Sequence, residues 1–483
     1  MTDQSNQIQL IYPTIDLFLY DLKSGLGQDE DKLALNRKEF WLKIYASVTD
    51  SEINKLAKSE KEGSDYVELL VDYHQDSIEP LTSSANSSSN SSTNSSANSS
   101  PDGYYYPVQL GDTYGLLVDC TANYISDYES KPQSIDSLQK VQQEILQSLH
   151  GQKAKLGQTW FIWGQLFDAN QDFDATAEAC FKQLDLPSKS GWDKDLTCGQ
   201  FFWGKIYDLW RPSSQSGNIN EGNIHDGYHV LICLFPHHLR IEAIRESITK
   251  LHPELIRFLR YRHKIIWAYS QSQEIKKSFK QSAIVIQKKV TDINNLVSNI
   301  SKININELQQ KLSQTPDLLL KYTNSVNYID DQRRSIKVNI SNYNKRRLKL
   351  EKIFQEIDPN SNCDFFKEFS DLAEEKYLGQ IESDHANISS RLTLIENTNK
   401  TVQSIIDIEK AKNDRTLNGA IAITGVGLAT SQLASAVILA SIPDNYKNNP
   451  LGYQISVFCW SLLFGFAGAG LTYFIVRLIR GQK

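Results

Sequence analysis

Cysteine is scarce in this chain and poorly placed for structural work. Cys120, Cys180, Cys198, Cys233, Cys363 and Cys459 form no CxxC pair and no spacing of a zinc site or disulfide scaffold. Reduced thiols in a cytoplasmic compartment are the simplest reading. Positive charge is not in excess either: 51 Lys and Arg against 57 Asp and Glu give a formal net charge of -6. A broad nucleic-acid surface normally needs the opposite balance, so nucleic acid is not an expected partner. The first residues, Met1 to Leu10, lack the basic start and apolar core of a signal peptide. There is no P-loop, no GxGxxG turn, no GxSxG elbow and no HExxH.

The polar neighbourhood of His225, Asp226, His229, Cys233, His237 and His238 has poor metal spacing. A four-residue step along a strand covers about 13 Å, too far for His229 and Cys233 to share one ion. Turn and helix-start roles are preferred there. Nothing brings Cys120 or Cys198 to a histidine for a cysteine-hydrolase dyad. The sequence therefore assigns no catalytic residue, no cofactor and no metal ligand. The aromatic residues Trp160, Trp163, Trp192, Trp203 and Trp210 are expected to fill a core between sheet and helices.

What the chain does contain is a pair of long uncharged runs near its end. Leu417 to Ala440 and about Tyr453 to Val476 carry no charged residue, and about 24 residues suffice to cross a hydrocarbon core of roughly 30 Å as a helix. Lys410, Lys412 and Arg415 precede the first run and Arg477, Arg480 and Lys483 follow the second, whereas the connecting loop holds only Asp444 and Lys447. By the positive-inside rule both termini are expected in the cytoplasm, with the chain integral to the membrane. Small residues at four-residue spacing, Gly427, Ser431 and Ser435 in one run and Ser461, Gly465 and Ala469 in the other, predict close packing of two helices. Neither run carries a buried charge of the kind that marks proton relays, so a pump is not expected.

Leading into the first run, Leu378, Ile381, Ile388, Leu392, Ile395, Val402 and Ile406 form a heptad seam, with His385 and Asn399 at its missing steps. Polar residues in such a seam fix register and partner number, which makes these two candidate register devices of a coiled-coil stalk. No proline interrupts Glu374 to Ala440, so stalk and first run are predicted as one helix of about 67 residues, roughly 100 Å long. Two further helical stretches, about Pro253 to Gln314 and Asp317 to Ile357, are set off by Pro316 and by Pro359-Asn360-Ser361. Two basic clusters lie on them: Arg257, Arg260, Arg262 and Lys264, then Arg333, Arg334, Arg346 and Arg347 with neighbouring lysines. They are candidate sites for anionic lipid headgroups or a phosphorylated messenger. The competing reading is a solvated helix face, with Glu254, Asp330, Asp331 and Glu351 near enough to pair.

Before Pro253 strand-like and helix-like segments alternate, which reads as an α+β region. Residues 1–150 offer a strand at Ile8 to Leu22, a helix at Asp31 to Val48, strands at Tyr66 to Tyr73 and Tyr104 to Cys120, and a helix at Ile135 to Leu149. Residues 151–252 repeat the order: Gln158 to Phe167, Ala175 to Leu184, Gly199 to Trp210, Tyr228 to Phe235, Leu239 to Leu251. A tandem pair of βαββα units is the inference. Residues 82–100, almost wholly Ser, Asn, Thr and Ala, read as a disordered insert within the first unit. The predicted layout is thus two α+β units, a coiled-coil region at 253–416 and a two-span hairpin with a basic tail at 417–483.

An α+β region, long helices running into a first span, a second span and the basic tail Arg477, Arg480 and Lys483 together resemble the CorA-type divalent-cation channels. That resemblance implies an oligomeric channel. The family's Gly-Met-Asn at the end of its first span is replaced here by Ala440-Ser-Ile-Pro-Asp-Asn-Tyr446, and Met1 is the only methionine, so magnesium transport does not carry over. Duplicated α+β units ahead of an anchor are also similar to components of bacterial conflict systems associated with caspases and TPR proteins. The function expected from the residues is a membrane-anchored sensing or adaptor protein with no assigned catalysis. Lipid is its expected partner, with a protein partner or self-association through the stalk. The alternatives are a CorA-like pore and a cysteine hydrolase.

Overall fold

The computed structural model describes residues 8–25, 29–49, 51, 53, 57–69, 79–80, 102–122, 131–186, 192, 196–211, 227–298, 309–310, 316–439 and 450–481. The chain divides into two units, residues 1–280 with 324–389, and residues 281–323 with 390–483. The sequence-predicted insert at 82–100 and most of the loop between the two apolar runs lie outside the described residues.

The first unit is built on one mixed sheet to which both predicted α+β halves contribute. Its strands are β1 (Gln9–Leu22), β2 (Val67–Glu68), β3 (Glu79–Pro80), β4 (Asp102–Leu110), β5 (Thr113–Thr121), β6 (Pro132–Ser134), β7 (Gly157–Leu166), β8 (Leu196–Phe201), β9 (Gly204–Arg211) and β10 (Tyr228–Phe235). The order is β2-β4-β5-β1-β7-β10-β9-β8, with β3 on β4 and β6 on β1. The halves lie side by side with matching strand order, but their strand directions differ. β1 pairs β5 antiparallel, whereas its counterpart β7 pairs β10 in parallel. A simple tandem repeat would give both pairs one polarity; element order along a sequence does not fix strand direction.

Two stretches read as single strands are hairpins. Tyr104 to Cys120 folds back at Gly111, whose φ of +59° suits glycine. Gly199 to Trp210 folds back at Phe202-Trp203, with φ of 44° and 60°. Bulky residues are costly in that conformation. A distant loop offsets the strain: Phe202 N donates to Ser361 Oγ at 3.1 Å and Trp203 N to Asp358 Oδ2 at 3.0 Å.

Helices cover both faces of the sheet. α1 (Glu30–Trp41), α2 (Ser137–Ser148) and α3 (Phe173–Gln183) lie on one face. The start of α1 is capped by Asp29, which accepts from Lys32 N at 2.9 Å, and that of α3 by Asp172, which accepts from Ala175 N at 2.7 Å. Under them, alternate residues of the central strands, including Leu17, Leu116, Ile162 and Val230, pack against Trp41, Val141 and Phe181 in an apolar core.

The opposite face meets α4 (Ile241–Ser298), α5 (Pro316–Ile357) and α6 (Asp364–Leu372). Tyr20 donates to the carbonyl of Ile256, Phe201 meets Phe354, and Trp210 meets Phe369 edge-on. α4 does not break at Pro253, where the sequence suggested a boundary. The proline removes one helix hydrogen bond, and burial of Leu251, Leu255, Ile256 and Leu259 around it offsets that cost. A π-helical turn, Ala373–Leu378, leads into α7 (Gly379–Leu439).

The second unit takes in the later parts of α7 (Gly379–Leu439) and the whole of α8 (Pro450–Gly481). Within it, a Cβ placed on Gly427 would lie 3.1 Å from Ala469 Cβ and from the Gly465 carbonyl, and one on Gly465 would lie 3.1 Å from Ser431 Cβ. The two helices therefore touch along backbone that only small residues allow. Tyr453–Ile475 is a stretch of 23 residues with mean hydropathy 1.7, long and apolar enough to cross a membrane, and 11% of it is buried within the chain. It is the one such stretch among the described residues.

Candidate functional site

Strand register sets out a line of residues across the sheet face beneath α4. Tyr104 on β4 stands opposite Asp119 on β5, Asp119 opposite Asp16 on β1, and Asp16 opposite Phe161 on β7. Two carboxyl side chains directly opposed on neighbouring strands repel if both are ionised, so something must neutralise the pair. Asp16 is fully buried and its Oδ1 receives no hydrogen bond.

The other Asp16 oxygen is well served. Oδ2 accepts from Trp163 Nε1 at 3.1 Å and lies 2.9 Å from Nε2 of His252 on α4. On the far side of that imidazole, Nδ1 is 3.2 Å from the Tyr104 hydroxyl. Burial raises the Asp16 carboxyl to about 7, opposed by its hydrogen bonds with the Asp119 carboxyl and with Trp163. The same burial lowers His252 to about 4, partly opposed by Asp119. Near neutrality the imidazole is thus uncharged and able to offer a lone pair.

Beside the site, β1 shifts register against β7 between Ile11 and Thr14, and Tyr12 has a φ of 57°. A bulge of this kind re-aims the residues that follow it. The Tyr12 ring lies 5.6 Å from that of Trp163, with the Arg245 guanidinium 4.5 Å above it. One oxygen or nitrogen from each of Asp16, Asp119 and His252 lies within 4.8 Å of the other two. No other trio of His, Cys, Asp and Glu meets that spacing among the described residues.

A second polar group lies on the same face. Thr159 Oγ1 sits 2.8 Å from His229 Nδ1 and 2.7 Å from His263 Nε2, and His229 Nε2 is 3.0 Å from Asp208 Oδ1. Burial, then the nearby Arg262 charge, lowers His229 to about 4, while His229 and Arg262 hold Asp208 below the usual carboxylate range against its desolvation. Each member has a partner, so the group reads as a hydrogen-bonded tie between sheet and helix.

The residues singled out from sequence fall as follows. His229 belongs to that tie, Cys233 is buried in β10, the rings of His237 and His238 adjoin each other, and His225 and Asp226 are outside the described residues. Burial pushes the Cys180 thiol up to about 12 and raises Cys233 as well, which disfavours either as a nucleophile. The basic clusters do not form one open patch. Arg257 pairs with Glu254 at 2.7 Å and stacks on Tyr66, and Arg346 reaches the same Glu254 at 3.2 Å. Arg260 donates to the Leu110 carbonyl, and Lys264 pairs with Asp112 at 2.5 Å. Arg333 and Arg334 share Asp330, while Arg347 lies between Glu351 and Asp364. Arg262 is 1% exposed, with its guanidinium over Phe369 and Trp210, so a lipid headgroup has no route to it.

In the seam, His385 Nε2 is 3.8 Å from Asp330 Oδ1, and Asn399 is half-buried. Ile388, Ile395, Val402 and Ile406 are already buried within the single chain. Gly427, Ser431, Gly465 and Ala469 meet as described, Ser461 is buried in α8, and Ser435 lies farther along α7.

Sequence reasoning passed over Asp16, Asp119 and His252. The available signals were single carboxyl residues interrupting apolar runs, Ile15-Asp16-Leu17 and Val118-Asp119-Cys120, each at an inward-facing strand position. No protein-family model matches the chain, and no curated protein does.

Proposed function

We propose that this chain is a membrane-anchored sensing or adaptor protein, with the sheet unit as its soluble recognition body and the two apolar runs at 417–440 and 453–476 as its anchor. The observation that carries the reading is the exposure of Tyr453–Ile475. Phe458, Trp460, Leu463, Phe464, Phe466 and Phe474 all face outward. A contiguous apolar surface of this kind is matched by lipid and not by water. The helix contact through Gly427 and Gly465 supports a two-span hairpin, because small-residue packing replaces the hydrophobic effect as the force between helices in lipid. Basic residues flank the runs on the outer sides, Lys410 and Arg415 before, Arg477 and Arg480 after, and this asymmetry supports a reading with both termini in the cytoplasm.

Burial of the seam residues within one chain favours an intramolecular role for much of the stalk, leaving the sheet unit as the surface for a partner. The reading assigns the protein no catalysis. It is tested by reconstituting the full chain in liposomes. The expected result is flotation with the lipid and no ion flux without an added partner; flux from the purified chain would replace this reading with a channel.

A further inference from the structure

We propose that Asp16, Asp119 and His252 form a binding site for one divalent transition-metal cation, of the class represented by Mn2+ and Zn2+, which ties the sheet to helix α4. The proposal stands on the sheet unit alone and holds whether or not the chain is anchored in lipid.

Three features converge on it. First, strand register places Asp16 and Asp119 directly opposite each other, an arrangement that calls for a positive charge or a proton between them. Second, Asp16 Oδ1 is wholly buried and, the hydrogen-bonded Asp119 carboxyl apart, no donor is aimed at it, so a cation that displaces the shared proton finds a buried acceptor in place. Third, His252 approaches from a different element, with Nε2 2.9 Å from Asp16 Oδ2. Ligand atoms about 2.0–2.2 Å from one ion lie roughly 2.9–4.4 Å apart, and the donor atoms here fall within 4.8 Å of one another. Closure by a few tenths of an ångström brings all three onto a single cation.

The surroundings suit this role. A ligating imidazole usually has its second nitrogen held by an outer partner, and a ligating carboxylate is itself hydrogen-bonded. Tyr104 stands at His252 Nδ1 and Trp163 donates to Asp16 Oδ2. On binding, the cation takes the lone pair of Nε2, the imidazole proton resides on Nδ1, and the Tyr104 oxygen accepts it. Two carboxylates and one imidazole make an O/O/N donor set, which favours Mn2+ or Zn2+ over the all-oxygen preference of Ca2+ and Mg2+. With three protein ligands, water fills the remaining positions.

The test is a titration of the metal-stripped full chain, in nanodiscs, with MnCl2, reading free Mn2+ by its electron paramagnetic resonance signal. Manganese is chosen because the exposed thiols of Cys198 and Cys459 bind zinc more readily. One Mn2+ per chain is expected, together with a rise in unfolding temperature that EDTA reverses. Asp16→Asn and His252→Gln should each weaken binding about 100-fold and Tyr104→Phe about 10-fold, while His229→Gln leaves it unchanged. Should either ligand variant fail to fold, the wild-type stoichiometry and the Tyr104→Phe shift decide. Absence of stoichiometric binding by the wild-type chain, or equal affinity in all variants, would overturn the proposal and leave a carboxyl pair that shares a proton only.

Discussion

The same apolar residue types are treated in opposite ways by the two units of this chain. In the sheet unit Trp41, Phe161 and Phe181 are shut away from solvent almost completely. In the second unit Phe466 is 73% exposed, Leu471 66% and Phe458 65%. Side chains of equal hydrophobicity end up inside one unit and outside the other, the pattern expected if the two have different solvents, as proposed above. The sheet unit obeys the water rule of an apolar interior, whereas α8 has the pattern that the proposed anchor requires, with the backbone satisfied within the helix and the apolar side chains facing out.

Truncating one ring in each unit should break the comparison most sharply. Phe181→Ala leaves a cavity beneath α3 and is expected to cost about 3–5 kcal/mol in the unfolding of the sheet unit. Phe466→Ala should leave that unfolding unchanged. Thermal unfolding followed by tryptophan fluorescence compares them, and equal effects would remove the distinction.

A charge probes the second unit from the other direction. Phe466→Asp in the middle of α8 should disfavour membrane insertion by about 3 kcal/mol, read as a smaller glycosylated or protease-protected fraction in an insertion assay. If α8 packs in a watery interior, the fraction will not move.

The sheet unit should also show a dependence on acid that the apolar helices lack. His229 faces Asp208 on β9 and Thr159 on β7, with His263 and Arg262 on α4, and its folded pKa is lowered to about 4. A histidine depressed in the folded state binds protons in the unfolded state first. Its contribution is therefore whole above pH ~6.5 and declines as pH falls toward ~4, by about 3 kcal/mol in all. The melting temperature of His229→Gln should fall less steeply than that of wild type across that window. Parallel curves would show that His229 is not held neutral.

Much of this was written in the sequence where the signal is local. The strand Tyr228–Phe235 is an apolar run interrupted only by His229, and its limits match those read from the residues alone. Helix α5 begins at Pro316, a residue whose missing N–H suits the first turn, and ends at Ile357 before Pro359. Non-local features were hidden. The Phe202-Trp203 turn has none of the usual turn residues because Ser361 and Asp358, more than a hundred positions away, supply its partners.

The candidate site was hidden for the same reason. Asp16, Asp119 and His252 carry no motif, and only strand register and the passage of α4 across the sheet bring them together. His252 precedes Pro253, a residue type that usually bounds a helix, yet α4 runs through both.

Alkaline carbonate extraction of membranes from cells expressing the full chain, followed by ultracentrifugation, asks directly which solvent surrounds the outward-facing rings of α8. The account predicts that the protein stays in the pellet and leaves it only on addition of detergent. Recovery of the chain in the carbonate supernatant would contradict it.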